Sequence, residues 1–319
     1  MELSKSVWRS AGSARLFLEY GCRLMKRSGI NAALLITPAF LLFSVFVVIP
    51  VVQAAYYSLY EWNGIGPLQA FRGFGNFIQI IQHTIFHTAL LNNIKIVIAS
   101  LLLQLPLAFI IALLIGRKRY RGEMFFRGVF FFPYIIAEIV VGIIWRFIYY
   151  PEFGIPTLVM QFITGQKNQI GLLGDPNVAF YAVLIVILWK YMGFHLMLFI
   201  AGLQGVPAEL EDAAVVDGAN SLQTIWHIII PSMKTTFIIS IFQSVIGSFN
   251  VFDVVWAMGQ GGPVNSTETI VTYLYNFGFR RFNFGYGSAV AVILFFICLV
   301  FNVLYQRYVV GDESNDIRS

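Results

Sequence analysis

The sequence predicts an all-α membrane protein with about six transmembrane helices, and three observations carry that prediction. Hydrophobic residues make up 58% of the 319-residue chain. Charged residues make up only 12%, about half of the ~25% usual in a soluble domain. The apolar residues are gathered into six runs, each near the roughly 20 residues that cross a bilayer. A soluble fold of this length could not hide so much apolar surface, so lipid is its expected solvent.

The six runs are approximately Ala32–Tyr57, Ile94–Gly116, Phe125–Tyr149, Phe180–Leu203, Thr235–Met258 and Phe284–Tyr308. The first exceeds a signal-peptide core and follows a tail longer than a signal peptide's, so it is expected to be retained. Pro38, Pro50, Pro106 and Pro133 lie in or near spans. Helices in lipid tolerate proline where neighbours re-satisfy the freed carbonyls. The connection Glu61–Asn93 is Gly-rich and leads into an amphipathic-looking Phe77–Leu91. Tyr150–Ala179 is repeatedly interrupted by Pro and Gly, and Gly259–Asn283 opens with GQGGP.

Basic residues orient the chain. Lys5, Arg9, Arg15, Arg23, Lys26 and Arg27 precede the first span, and Arg117, Lys118, Arg119 and Arg121 follow the second. The other side has only Arg72, Lys167, Arg280 and Arg281. Both termini are therefore expected in the cytoplasm. The expected organisation is a basic tail over residues 1–30, a transmembrane permease domain over 31–309 with its core at about 91–309, and a polar tail over 310–319. The net charge of +5 reflects these membrane-flanking clusters and does not indicate nucleic-acid binding. Cys22 and Cys298 lie far apart, with neither a disulfide framework nor metal-ligand company.

The cytoplasmic loop over residues 205–233 is the most structured connection. Its sequence from Val206, VPAELEDAAVVDGANSLQTIWHIIIP, is polar and acidic between two apolar runs. Pro207 suits a helix start. Glu209, Glu211 and Asp212 favour that helix's positive end. Gly218, after Asp217, is free to take a left-handed stop. Asn220 or Ser221 can cap a second short helix through Ile230, and Pro231 permits a fresh start. An interfacial linker would explain the punctuation equally well, but such helices carry Lys and Arg toward lipid headgroups. The acidity favours a protein partner.

The pattern DAA–x2–DGA running on to IIIP resembles the "EAA" loop of bacterial ABC importer permeases. Also similar to the carbohydrate branch of that family, the maltose-type permeases, are FNVFDVVWAMGQGGPVNSTETIVTYLYNFGF, FGYGSA, FRGFGNF, FFFPYI and WKYMGFHLMLFIAGLQGVP. Together they cover roughly Ala32 to Tyr308. The resemblance implies a type I ABC importer permease fold in a bacterial inner membrane. It implies that the loop is a coupling helix seated in a cleft of an ATP-hydrolysing subunit. The family's acidic position falls on Asp212, where Glu is usual, its alanines on Ala213 and Ala214, and its glycine on Gly218; Glu209, Asp217 and Ala219 complete the element. The implied partners are two ATP-binding subunits, a second homologous permease subunit and an extracytoplasmic solute-binding protein. The chain carries no GxxxxGK[ST] phosphate loop, so no catalytic residue, cofactor or metal is expected in it. ATP and Mg would be used by the partner subunits.

Polar groups at membrane depth are the candidates for the substrate path. Asn250 and Asp253 lie three apart, as if on one face of the fifth span, with Gln243 and Ser248 nearby. They can line the path or hold helices together by hydrogen bonds. His195 can contact substrate or pack, and Trp189 can stack on a sugar ring or pack. Gly193 admits a ligand or a helix closely. Glu138 can line the path or pair with a base, and Arg146 is expected to reach the outer surface. Lys95 and Lys190 suit structural ion pairs or snorkelling. Mostly neutral candidates favour a neutral sugar over glycerol phosphate or a uronate. An ion-coupled secondary transporter would leave the acidic loop unexplained, and an intramembrane enzyme would need a nucleophile–base pair or metal cluster that the sequence does not offer.

Overall fold

The computed structural model describes residues 36–116, 122–165 and 169–310. The basic N-terminal tail, Cys22, Arg117–Arg121, Lys167 and the tail from residue 311 lie outside the described residues. The chain divides into two units, Met1–Tyr56 and Tyr57–Ser319.

The described helices are α1 (Ile36–Tyr57), α2 (Gly75–Gln82), α3 (Thr84–Ile115), α4 (Glu123–Ile135), α5 (Glu138–Ile148), α6 (Ile155–Thr164) and α7 (Ala179–Gln204). They continue with α8 (Ala208–Val216), α9 (Ser221–Ser232), α10 (Lys234–Phe249), α11 (Asp253–Gly259), α12 (Ile270–Leu274, prolonged by a wide turn Tyr275–Phe279) and α13 (Phe284–Val309). Four are single helices long and apolar enough to cross a membrane, and two bent pairs complete six crossings. The third predicted span is α4 and α5, meeting at 98°. The fifth starts in α10, which meets α9 at 73°.

The prolines explain several irregularities. Proline has no N–H to donate and its ring crowds the carbonyl four residues back. In α1, α3 and α9 the helix widens by one residue directly before proline. Ile49, Leu105 and Ile230 donate five residues back, to Ser44, Ser100 and Ile225, ahead of Pro50, Pro106 and Pro231. Each helix continues instead of breaking. In α9 this carries the helix past Ile230 to Ser232, two residues beyond the expected end.

The connection Tyr150–Ala179 contains a helix that its Pro and Gly content concealed. Pro156 stands in the first turn of α6, and Gly165, at φ 70°, closes it. The residues read as interruptions are its start and stop signals.

α7 is the central helix. It packs against α3, α4, α5, α10 and α11. One apolar core joins α5, α7 and α11 through Val141, Val186 and Val254. A second joins α3, α7 and α9 through Phe109, Phe199 and Ile229. A third joins α2, α3, α12 and α13 through Ile80, Phe86, Tyr273 and Val290.

The irregular backbone between these cores is stitched by side chains. Asn93 Nδ2 donates to the Ser248 carbonyl at 2.6 Å, and Asn93 Oδ1 accepts from the Ile270 N–H at 2.9 Å. Asn92 donates to the carbonyls of Ser266 and Glu268 at 2.8 and 2.9 Å. Thr269 Oγ1 donates to the Val251 carbonyl at 2.8 Å. Replacing Asn93 with Leu orphans two buried backbone groups, each costing about 1–3 kcal/mol. Asn93→Leu is expected to lower the thermal midpoint of the purified protein well below that of an exposed control such as Gln79→Leu. Equal midpoints would contradict this role.

Candidate functional site

A cavity of about 230 Å³ lies among α3, α7, the α4–α5 break and the break after α10. Both breaks arise where backbone leaves helical geometry. Ile136 and Ala137 are extended, with ψ of 137° and 136°. α10 ends at Asn250, and α11 starts only at Asp253. Such irregular backbone survives at membrane depth only where protein or a cavity satisfies it.

α3 contributes Ser100 and Gln104 through the wide turn before Pro106. The α4–α5 break contributes Tyr134 and Glu138, α7 contributes Tyr191, Phe194 and His195, and α10 contributes Gln243, Ser244, Ser248 and Asn250. Gln104 Oε1 accepts from the Ser100 hydroxyl, and Gln104 Nε2 donates to the Leu188 carbonyl at 2.9 Å. Ser244 Oγ donates to Ser100 Oγ at 2.8 Å. His195 Nδ1 and Ser240 Oγ are 2.8 Å apart. The Tyr191 side chain and the Glu138 carboxylate both line the cavity. The Tyr134 and Phe194 rings lie 5.3 Å apart. Hydroxyls, amides and aromatic faces therefore share one wall with a single carboxylate.

Of the expected path residues, the cavity brings together Glu138, His195, Ser248 and Asn250. Trp189, Gly193 and Asp253 are not in its lining. Trp189 packs edge-on against Trp145 at 5.4 Å. At Gly193 an added Cβ would stand 2.4 Å from the Phe130 carbonyl oxygen, so the close neighbour is helix α4. Asp253 sits in the first turn of a separate helix, α11. Asn250 and Asp253 therefore do not share a helix face, because the span breaks between them. Asn250 is exposed and donates to the Ile246 carbonyl at 2.8 Å. Glu138 opens α5 instead of lying inside a continuous helix.

Arg146 is exposed in the last turn of α5. Lys95 is exposed and stands 5.1 Å over the Phe180 ring. Lys190 neither snorkels nor faces solvent; it is buried and donates to two backbone carbonyls. Sequence reasoning missed Gln104, Ser100, Ser244, Tyr134 and Phe194. The signal for Gln104 was present: an amide in an apolar run, two residues before proline.

The cytoplasmic-loop residues form a second candidate site. Pro207 occupies the cap before α8, and Glu209 and Glu211 fill its first turn. Gly218 adopts φ 82°. The turn is closed by the Ala219 N–H on the Ala214 carbonyl at 2.9 Å and the Gly218 N–H on Val215 at 3.1 Å. Asn220 is the cap of α9: its Oδ1 accepts from the Gln223 N–H, and Gln223 Oε1 accepts from the Asn220 N–H. Glu209, Asp212, Ala213, Asp217 and Gly218 are exposed, and Ala219 is half-buried. Ala214 is buried and packs inward. Val216, 86% exposed, and Leu222 and Val215 add an apolar component to this acidic surface.

Residues 104–309 match the family described as "Binding-protein-dependent transport system inner membrane component". The chain is 36% identical over 294 residues to the diacetylchitobiose uptake system permease protein NgcF of Streptomyces coelicolor, covering 87% of this chain and 82% of that one. It is 31% identical over 286 residues to the probable ABC transporter permease protein YurN of Bacillus subtilis, covering 89% and 98%. It is 31% identical to the sn-glycerol-3-phosphate transport system permease protein UgpA of Rhizobium meliloti, covering 86% and 93%. A chain of the bacterial alginate ABC transporter, solved with an alginate-bound periplasmic protein, superposes with a TM-score of 0.76 at 21% identity, covering 88% and 94%. The six crossings, two of them discontinuous, are thus those of a type I importer permease. The chain belongs to the family of binding-protein-dependent transport system inner membrane components and is a multi-pass ABC transporter permease subunit.

Proposed function

We propose that this permease subunit passes a neutral carbohydrate through the cavity between α3, α7 and the two broken spans, driven by ATP hydrolysed in partner subunits. The observation that carries this reading is the cavity wall. Its lining has hydroxyls, amides and the rings of Tyr134, Tyr191 and Phe194, with Glu138 and, among the described residues, no Lys or Arg. Sugar hydroxyls need donors and acceptors, and the apolar faces of pyranoses pack on aromatic rings. An anionic substrate would call for Arg or Lys at that depth. The relatives' names include both a neutral disaccharide and glycerol phosphate, so the wall is the better guide.

The cavity is smaller than the ~300–1,000 Å³ of most small-molecule sites. Gln243, Gly247 and Asn250 are exposed along one face of α10. A polar stripe facing lipid would be costly. Both features support a second permease subunit that completes the site. On the cytoplasmic side, the exposed acidic and apolar surface of α8 suits docking to an ATP-binding subunit, where ATP and Mg would act. A solute-binding protein would deliver the sugar from outside by alternating access.

The test is uptake by the complex purified from its native membrane and reconstituted in proteoliposomes. ATP-dependent uptake of tritiated diacetylchitobiose or another neutral oligosaccharide, not competed by glycerol 3-phosphate, is the expected result. Uptake of glycerol phosphate alone would overturn the substrate class. Uptake driven by a proton or sodium gradient without ATP would overturn the mechanism.

A further inference from the structure

Lys190 lies in the middle of apolar α7 and is 2% exposed. Its Nζ donates to the Tyr134 carbonyl at 2.7 Å and to the Ile136 carbonyl at 2.6 Å. Those carbonyls sit at the end of α4, where the chain turns extended and the helical donors for them are gone. The ammonium also stands 5.4 Å from the Tyr134 ring centre and 5.9 Å from that of Tyr191. The Glu138 carboxylate is close enough to attract it. Burying an ammonium is costly unless it is paired and hydrogen-bonded. Here two charge-assisted hydrogen bonds, the negative end of α4 and two aromatic faces offset that cost. An apolar side chain of similar length, such as methionine, offers none of them.

We propose that Lys190 is a positioning residue: it clamps the 98° break between α4 and α5, so that Tyr134 and Glu138 stand in the cavity wall, and it sets substrate affinity without touching substrate. Lys190 is not among the residues lining the cavity. The proposal rests on the reading of that cavity as the substrate path.

The test uses the complete transporter in proteoliposomes and two readouts. The first needs no substrate: Tyr134→Cys is introduced, and its reaction rate with a hydrophilic thiosulfonate is compared with and without Lys190→Met. Release of the break is expected to change that rate by about fivefold or more, the scale on which loss of about 1 kcal/mol is read. An equal rate overturns the proposal. The second readout is uptake of tritiated diacetylchitobiose. Lys190→Met is expected to raise KM about tenfold while the maximal rate falls much less. Lys190→Gln, which keeps a donor, is expected to fall between. A purely structural role would lower the amount of assembled transporter at unchanged KM, and that result overturns the proposal. Failure of both variants to assemble would assign Lys190 to folding and overturn it as well. Gln104→Leu and Asn250→Ala separate the two claims. If they shift KM and Lys190→Met does not, the clamp fails alone. If the thiol rate changes while neither of them alters uptake, the clamp stands and the cavity is not the path.

Discussion

Gly218→Val is expected to reduce uptake to below about a tenth of wild type, a transport loss worth more than ~1.4 kcal/mol, while leaving the chain inserted. Gly218 holds φ 82° between α8 and α9. An added Cβ would meet nothing within 4 Å, so no clash contributes and the effect is torsional. A left-handed conformation costs an ordinary L-residue roughly 1–2 kcal/mol, and a β-branched one more. The turn can relieve that cost only by opening, which breaks the Ala219–Ala214 hydrogen bond and re-aims α8 against α9. Asn tolerates this conformation better than other side chains, so Gly218→Asn should retain most uptake. The check compares uptake and membrane content of the two variants. Equal uptake by Gly218→Val and wild type would show that the turn's geometry does not matter to coupling.

Gln104→Leu should raise the KM for sugar about tenfold or more, equivalent to roughly 1.4 kcal/mol. Gln104 is 4% exposed. It ties Ser100 on its own helix to the Leu188 carbonyl on α7, and Ser100 in turn receives Ser244 from α10. Three helices thus meet through one amide. Leucine keeps the volume but removes the hydrogen bonds to the Leu188 carbonyl and the Ser100 hydroxyl, each worth about 0.5–1.5 kcal/mol net. The cavity wall would also turn apolar where a sugar needs hydrogen bonds. Initial-rate uptake over a range of sugar concentrations checks this. An unchanged KM would remove Gln104 from the path.

Much of the architecture could be read from residue order. Composition and run length gave six crossings, and the Asp217–Gly218 stop of α8 was predictable because a positive φ there favours glycine. The breaks were not legible. Ile136 and Ala137 carry no breaker of their own, and the ammonium that takes up the Ile136 carbonyl belongs to Lys190, 54 residues away in sequence. In the same way, the end of α10 at Asn250 depends on Thr269 and Asn93 taking up carbonyls from elsewhere in the chain. A periodicity argument sees an unbroken apolar run and places Asn250 and Asp253 on one face. It also cannot tell whether an aromatic on α7 faces the cavity or its neighbours. Trp189 and Phe194 are equally apolar in sequence, and only the crossing of α7 with α4 and α5 decides between them.

The most direct measurement joins the cytoplasmic surface to its motor. With Ala213 replaced by cysteine in an otherwise cysteine-free chain, a short bifunctional maleimide in native membranes should join the permease to a nucleotide-hydrolysing subunit, and ATP should alter the yield. Adducts formed only with lipid or with other copies of this chain would contradict the account.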